Sequence, residues 1–132
     1  MQAHALAVFN KKLLLMLRDN NPTIPYPNCW SLIGGNAHEY ETPEETLLRQ
    51  FCEETSVIPK NVQYMMKWPG TETHLFFVPL SEQEAMRIRL GNEGQALRFF
   101  YLQEIEDLRL AGTFGKEFPD NKFLLHELLE TT

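Results

Sequence analysis

Glu53 and Glu54 are adjacent in the chain, close after Arg49 and Gln50, and a pair of carboxylates could hold a divalent cation. At ~100° per residue, Leu47, Leu48, Phe51, Cys52 and Thr55 share one arc of a helix, and the four polar residues share the opposite arc. Two readings fit this pattern. A solvated face with an Arg49–Glu53 pair would contribute only about 0.2–0.5 kcal/mol. Alternatively, the adjacent carboxylates, which repel each other, are kept together by Mg²⁺ or Mn²⁺. Glu41 and Glu44 add acid near the helix start, where the helix dipole favours negative charge. Cys52 falls on the apolar arc with no neighbouring His to activate it, which suits a small core residue better than a nucleophile.

This helix carries strong boundary signals. Thr42 is a good N-cap, Pro43 suits the first helical position and Glu45 completes a capping box, so the helix should run to about Thr55 and end near Ser56. Ala3 to Phe9 and Lys12 to Leu17, separated by Asn10 and Lys11, predict a β-hairpin. The proline-rich stretch RDNNPTIPYPN is a loop, either a rigid connector or a substrate rim. Trp30 to Ile33 predicts a short strand running into Gly34-Gly35. Val62 to Trp68 and His74 to Leu80 predict two further strands about a turn at Pro69-Gly70, and Leu97 to Leu102 predicts another. The segment from Ser81 to Leu90 reads both ways, with a helix-cap start and a strand-like MRIRL. Pro119-Asp120 opens a last amphipathic helix whose Phe123, Leu124, Leu128 and Leu129 would face the core. Strands flanking one central helix, with a second helix at the C-terminus, give an α+β fold of the α/β/α sandwich type, formed as a single domain over residues 1–132.

Composition bounds the function. The chain of 132 residues is 43% hydrophobic and 23% charged, so it can bury a real core. Its formal charge of −6 argues against a nucleic-acid backbone binder but leaves room for a small anionic substrate bridged through a cation. Two cysteines with no CxxC spacing give neither a disulfide framework nor a zinc site. No charged region precedes the first apolar stretch and no apolar run approaches bilayer length, so a cytoplasmic protein with no membrane partner is expected.

The segment GGNAHEYETPEETLLRQFCEETSV resembles the box of the Nudix (MutT-like) hydrolases, G-x5-E-x7-R-E-U-x-E-E-x-G-U, where U is a bulky apolar residue. Gly35, Glu41, Arg49, Phe51, Glu53, Glu54 and Val57 match it. Gln50 replaces a fixed Glu and Ser56 a fixed Gly, while Ile33 and Tyr40 depart from looser preferences for Pro and Gly. The later stretch GNEGQALRFFYLQEI resembles the loop and strand that supply a further acidic ligand in MutT-like members, here Glu93.

The resemblance implies a Nudix fold, with a mixed central sheet, the box helix on one side and a C-terminal helix. It implies a pyrophosphohydrolase that uses Mg²⁺ or Mn²⁺ to cleave a diphosphate linkage in a nucleoside triphosphate or nucleoside-diphosphate derivative. Carried over, Glu53, Glu54, Glu93 and the Gly34 carbonyl would hold metal, Glu41 would take a supporting or second-metal role, and Arg49 would orient the acidic cluster. Gln50 keeps the shape of the family's glutamate but cannot take a proton near neutral pH, and a positioned base is worth ~10²–10⁴ in rate. The base could then be Glu93, with Glu39 or Glu44 behind it. Alternatively, the domain is catalytically impaired and binds or regulates through a nucleotide or metabolite. Tyr26, Trp30, Gln95 and Phe76 are the candidate substrate contacts, with Trp68 and Phe77 behind them and His38 and His74 minor ones; core packing is the competing reading for the aromatics. A homodimer is compatible with the family.

Overall fold

The structure, a computed structural model, describes residues 1–131. In chain order its main elements are β1 (Gln2–Phe9), β2 (Lys12–Leu17), β3 (Trp30–Asn36), α1 (Pro43–Thr55), β4 (Gln63–Lys67), β5 (Thr73–Pro79), α2 (Glu82–Arg87), β6 (Ala96–Phe100), α3 (Leu102–Ile105), α4 (Gly112–Glu117) and α5 (Lys122–Glu130). The strands form one mixed sheet in the order β4-β5-β1-β3-β2-β6, in which only β1 and β5 run parallel. The expected hairpin closes at Asn10 and Lys11, both at positive φ (53° and 62°), as a tight two-residue turn requires. It then opens, because β3 inserts between its arms and pairs with both.

Alternation along β1 sets the layers. Ala3, Ala5 and Ala7 face one side, where their small size lets α1 lie close, and Leu47 and Phe51 of α1 pack there with Ile33 and Val78. Burying a side chain such as Phe51 contributes about 1.5–3 kcal/mol. Leu6 and Val8 face the other side and join Leu15, Leu32 and Leu75 beneath Phe114, Leu125 and Leu129 from the C-terminal helices. The result is the α+β sandwich, helices over both faces of a mixed sheet.

Helix α1 has the predicted boundaries, with the Thr42–Glu45 capping box intact in both directions. Two expectations need correction, at the end of the sixth strand and on the last helix, and the open reading of the segment from Ser81 resolves. The sixth strand ends at Phe100, because Tyr101 starts the short helix α3. The residues from Ser81 resolve as a capped helix, α2, followed by extended chain from Ile88. Phe123 points away from the core at 79% exposed, while Leu125 and Leu129 are the buried pair of α5. The helix starts only at Lys122, after a 3₁₀ turn over Phe118–Asp120, so its inward face is rotated from the one expected.

Candidate active site

Arg49 organises the outer face of α1. Its Nε and Nη2 donate to both oxygens of Glu41 at 2.7 and 3.0 Å, Nη1 reaches Glu53 at 3.3 Å, and Nη2 also donates to the Asn36 carbonyl at 2.9 Å. One planar fork thus ties the loop before the helix, the end of β3 and the helix itself. The Glu41 carboxyl is held down to about 2, chiefly by Arg49 and then by the His38 N–H, which donates to it at 2.6 Å. Arg49 is raised in turn, first by Glu41.

Glu54 departs from the helix wheel. It is only 8% exposed and sits on the covered side of α1, not on the solvated arc with Glu53. Residues after Ile88 turn back over this end of the helix: the Arg89 N–H donates to the Thr55 carbonyl at 2.9 Å and the Gly91 N–H to the Glu54 carbonyl at 3.1 Å. A Cβ on Gly91 would stand 1.9 Å from the Glu53 carbonyl oxygen, so only glycine permits this approach. On the sheet side, the Gly34 N–H donates to Glu54 Oε1 at 3.3 Å. Gly34 has φ +141°, and a Cβ there would lie 2.1 Å from the Ala3 carbonyl oxygen. Enclosed in this way, the Glu54 carboxyl is pushed up to about 8, first by burial, then by the neighbouring charges of Glu93 and Glu53 against the opposing Gly34 N–H.

Glu53 is mostly exposed, and Glu93 is exposed on the loop that starts at Gly91. The Gly94 N–H donates to Asp19 at 3.1 Å, and Gln95 Nε2 donates to the Arg18 carbonyl and to Asn28. Gln95 therefore ties the Glu93 loop to the proline-rich loop. Among the described residues no three His, Cys, Asp or Glu side chains are gathered at coordinating distances. The donor chemistry nevertheless suits a hard cation: one deep carboxylate with a single weak hydrogen bond, and two more close enough to disfavour its charge.

The remaining candidates separate. Gln50 Nε2 donates to the Asn36 carbonyl at 3.2 Å and packs against Gly35. Glu39 and Glu44 are exposed. Phe76 and Trp68 are core residues, 2% and 1% exposed, so neither offers a surface for a substrate. Trp30 lies against Phe100, ring centroids 4.8 Å apart, and is partly buried in the core beneath the C-terminal helices. His74 Nδ1 is 3.0 Å from the Tyr64 hydroxyl, on the far strands, and His38 is exposed. Tyr26 is half exposed at the rim of a cavity of about 340 Å³ that also reaches His4, Arg18, Gly34, Asn36 and Lys116. The sequence reading passed over His4, Arg18 and Lys116. A His in register with inward-facing Leu6 and Val8 was the available signal.

Two departures from the family pattern fall at special backbone positions. Tyr40 (φ 69°) and Ser56 (φ 66°) both occupy the left-handed region, where glycine is unstrained. Ser56 caps α1 there, and its hydroxyl donates to the Arg89 carbonyl at 3.1 Å, offsetting part of a cost of about 1–2 kcal/mol.

The comparisons with known proteins agree with this fold. The family model of the NUDIX domain matches residues 1–120. An ADP-ribose pyrophosphatase of Methanocaldococcus jannaschii is 43% identical over 51 residues, which are 39% of this chain and 28% of that protein. The chain thus spans little more than a quarter of that relative's length. Among solved structures, the NUDIX domain of Shewanella oneidensis NrtR complexed with ADP ribose superposes with a TM-score of 0.67 at 20% identity, covering 98% of this chain and 85% of that one. A MutT NUDIX hydrolase from Burkholderia pseudomallei has a TM-score of 0.67 at 19% identity, covering 96% and 95%.

Proposed function

This chain belongs to the NUDIX-domain family, and on that premise we propose that it hydrolyses a diphosphate linkage in a nucleoside-diphosphate derivative with the help of Mg²⁺ or Mn²⁺. The observation that carries the reading is Glu54, a carboxylate enclosed between Gly34 and the Glu93 loop with its charge disfavoured. Glu53, Glu54 and Glu93 would hold the ion, with the Gly34 carbonyl beside them. The ion would supply charge neutralisation at the diphosphate and activation of water. Arg49 keeps Glu41 ionised and holds Glu53 on the outer face of α1. Gln50, an amide that already donates to Asn36, holds the shape of the site without moving a proton. We assign the proton-accepting role to Glu93, the exposed carboxylate that the 90s loop brings toward Glu54.

A second reading, a binding or regulatory domain, is favoured by Gln50 alone. Both are tested by chromatographic assay of the nucleoside monophosphate formed from nucleoside triphosphates, ADP-ribose and nucleotide sugars with Mg²⁺ and with Mn²⁺. The expected result is metal-dependent turnover of at least one diphosphate derivative; tight binding with no turnover across the set would establish the regulatory reading instead. Gln50→Glu is expected to change kcat by less than about tenfold if Glu93 serves as base. A gain of ~10²–10⁴ would instead mark position 50 as the lost base.

A further inference from the structure

The loop that carries Glu93 is seated at both ends. Before the acid, Gly91 rests on the end of α1. After it, the proline-rich loop takes hold: the Gly94 N–H donates to Asp19 Oδ1 at 3.1 Å, and Gln95 Nε2 donates to the Arg18 carbonyl at 2.8 Å and to Asn28 Oδ1 at 3.0 Å. Between these seats the acid has no anchor of its own. Among the described residues no hydrogen bond or salt bridge holds the Glu93 carboxylate, and Glu93 lines a gap of about 290 Å³ together with Asn21 and Ile24 of the proline-rich loop. Its place is set by its backbone.

The proline-rich loop is stiff enough to serve as a support. Pro22, Pro25 and Pro27 each fix one backbone angle. The Arg18 N–H closes its base on the Cys29 carbonyl at 2.9 Å, and the Asn28 N–H does so on the Asp19 carbonyl at 3.0 Å. Arg18 Nε donates across it to the Pro25 carbonyl at 2.9 Å. Asn28 stands at φ 58°, a conformation that asparagine tolerates. Gln95 and Asn28 are exposed, however, where water competes for each hydrogen bond and a pair of this kind adds little to stability. Three bonds, two of them in water, converge on the two residues that follow one acid.

We propose that Asp19 and Gln95 are positioning residues for Glu93: they make the proline-rich loop the template against which the acid is set, Asp19 through the Gly94 N–H and Gln95 through its carboxamide. The Gln95 amide is thereby spent on the proline-rich loop and not on a substrate. The proposal rests on the hydrolase reading for what Glu93 does, and not for where it is held. Neither residue touches the reacting atoms, so losing one moves the acid without removing it. A displaced proton acceptor weakens the transition state more than it weakens bound substrate, and the loss falls on kcat.

The test compares Asp19→Ala, Asp19→Asn and Gln95→Glu with the wild-type chain. Asparagine keeps an acceptor oxygen for the Gly94 N–H and alanine keeps none, while glutamate keeps the shape of Gln95 without an N–H to donate. In the metal-free chain, amide hydrogen exchange at Gly94 and Gln95 should quicken by about 5–10-fold in Asp19→Ala and stay within about twofold of wild type in Asp19→Asn. With Mg²⁺ and the diphosphate substrate turned over by the wild type, kcat should fall by about 10–100-fold in Asp19→Ala and Gln95→Glu, KM should stay within about threefold, and Asp19→Asn should keep most of the rate. Melting temperatures should fall by about 5 °C or less, so the lost rate is not lost folded protein. Adding Glu93→Gln to Asp19→Ala should lower kcat little beyond Glu93→Gln alone. Unchanged exchange in Asp19→Ala, additive losses with Glu93→Gln, or an asparagine variant as slow as the alanine one would overturn the proposal. Should the wild type turn over no substrate, the hydrolase reading falls by itself, and the exchange rates still decide whether the proline-rich loop holds the acid's loop.

Discussion

Glu54→Gln is expected to lower kcat/KM by about 10³-fold or more and, in the same protein, to raise stability at alkaline pH. The loss follows if Glu54 holds the ion, since metal assistance is worth several kcal/mol in the transition state and each ~1.4 kcal/mol is tenfold. The gain follows from burial. The Glu54 carboxyl titrates near 4.5 when unfolded and near 8 in the fold. Below pH 4.5 both states are neutral and the group adds no cost. As pH rises from 4.5 to 8 the unfolded chain releases a proton that the fold retains, so stability falls across that window and then levels off. At about 1.36 kcal/mol per pKa unit, the cost is at most about 5 kcal/mol. Glutamine carries no charge at any pH. Melting curves of the two proteins should therefore coincide below pH 4.5 and separate progressively up to pH 8, with the variant the more stable. Mg²⁺ should close the gap by raising the melting temperature of the wild type alone. Retained activity would remove Glu54 from the metal site, and parallel curves at all pH values would show that burial does not disfavour its charge.

The reason Glu54 could not be placed from the sequence is instructive. A helix wheel knows the period but not what packs on each side, so it put Glu53 and Glu54 on one solvated arc. The structure divides them: Glu53 faces water, whereas Glu54 is roofed by residues that follow it by more than thirty positions. Signals confined to one element were legible. The Thr42 cap, Pro43 and Glu45 placed α1 within a residue, because capping hydrogen bonds are local. The Asn10-Lys11 turn was legible for the same reason. Insertion of β3 between β1 and β2 was not, nor was the rotation that turned Phe123 outward, since both depend on long-range pairing. Phe76 and Trp68 were hidden for a similar reason, lying in the core while Tyr26 stands exposed. Phe76 alternates correctly along β5, but only the position of α1 shows that its side of the sheet is the covered one.

Gly91→Ala, which removes no charge, is expected to lower kcat by about 10²-fold. The methyl group would stand 1.9 Å from a backbone carbonyl at the end of α1, an atom that cannot rotate aside. The loop must lift instead, breaking the hydrogen bonds from Gly91 to the Glu54 carbonyl and from Arg89 to the Thr55 carbonyl. Overpacking of this kind costs about 1–3 kcal/mol of stability, which the alanine variant should show as earlier unfolding in denaturant. The catalytic loss has a separate origin, because Glu93 rides on the same loop and a shift near 1 Å can cost ~10² in rate. A double-mutant cycle separates the two effects. If Gly91→Ala acts by displacing Glu93, then adding Glu93→Gln to it lowers kcat little further, while the stability loss is unchanged. Additive losses in kcat would mean that the loop and its glutamate serve the reaction independently. With coupled losses, the close contact at Gly91, two residues before the acid, is what sets where that acid stands.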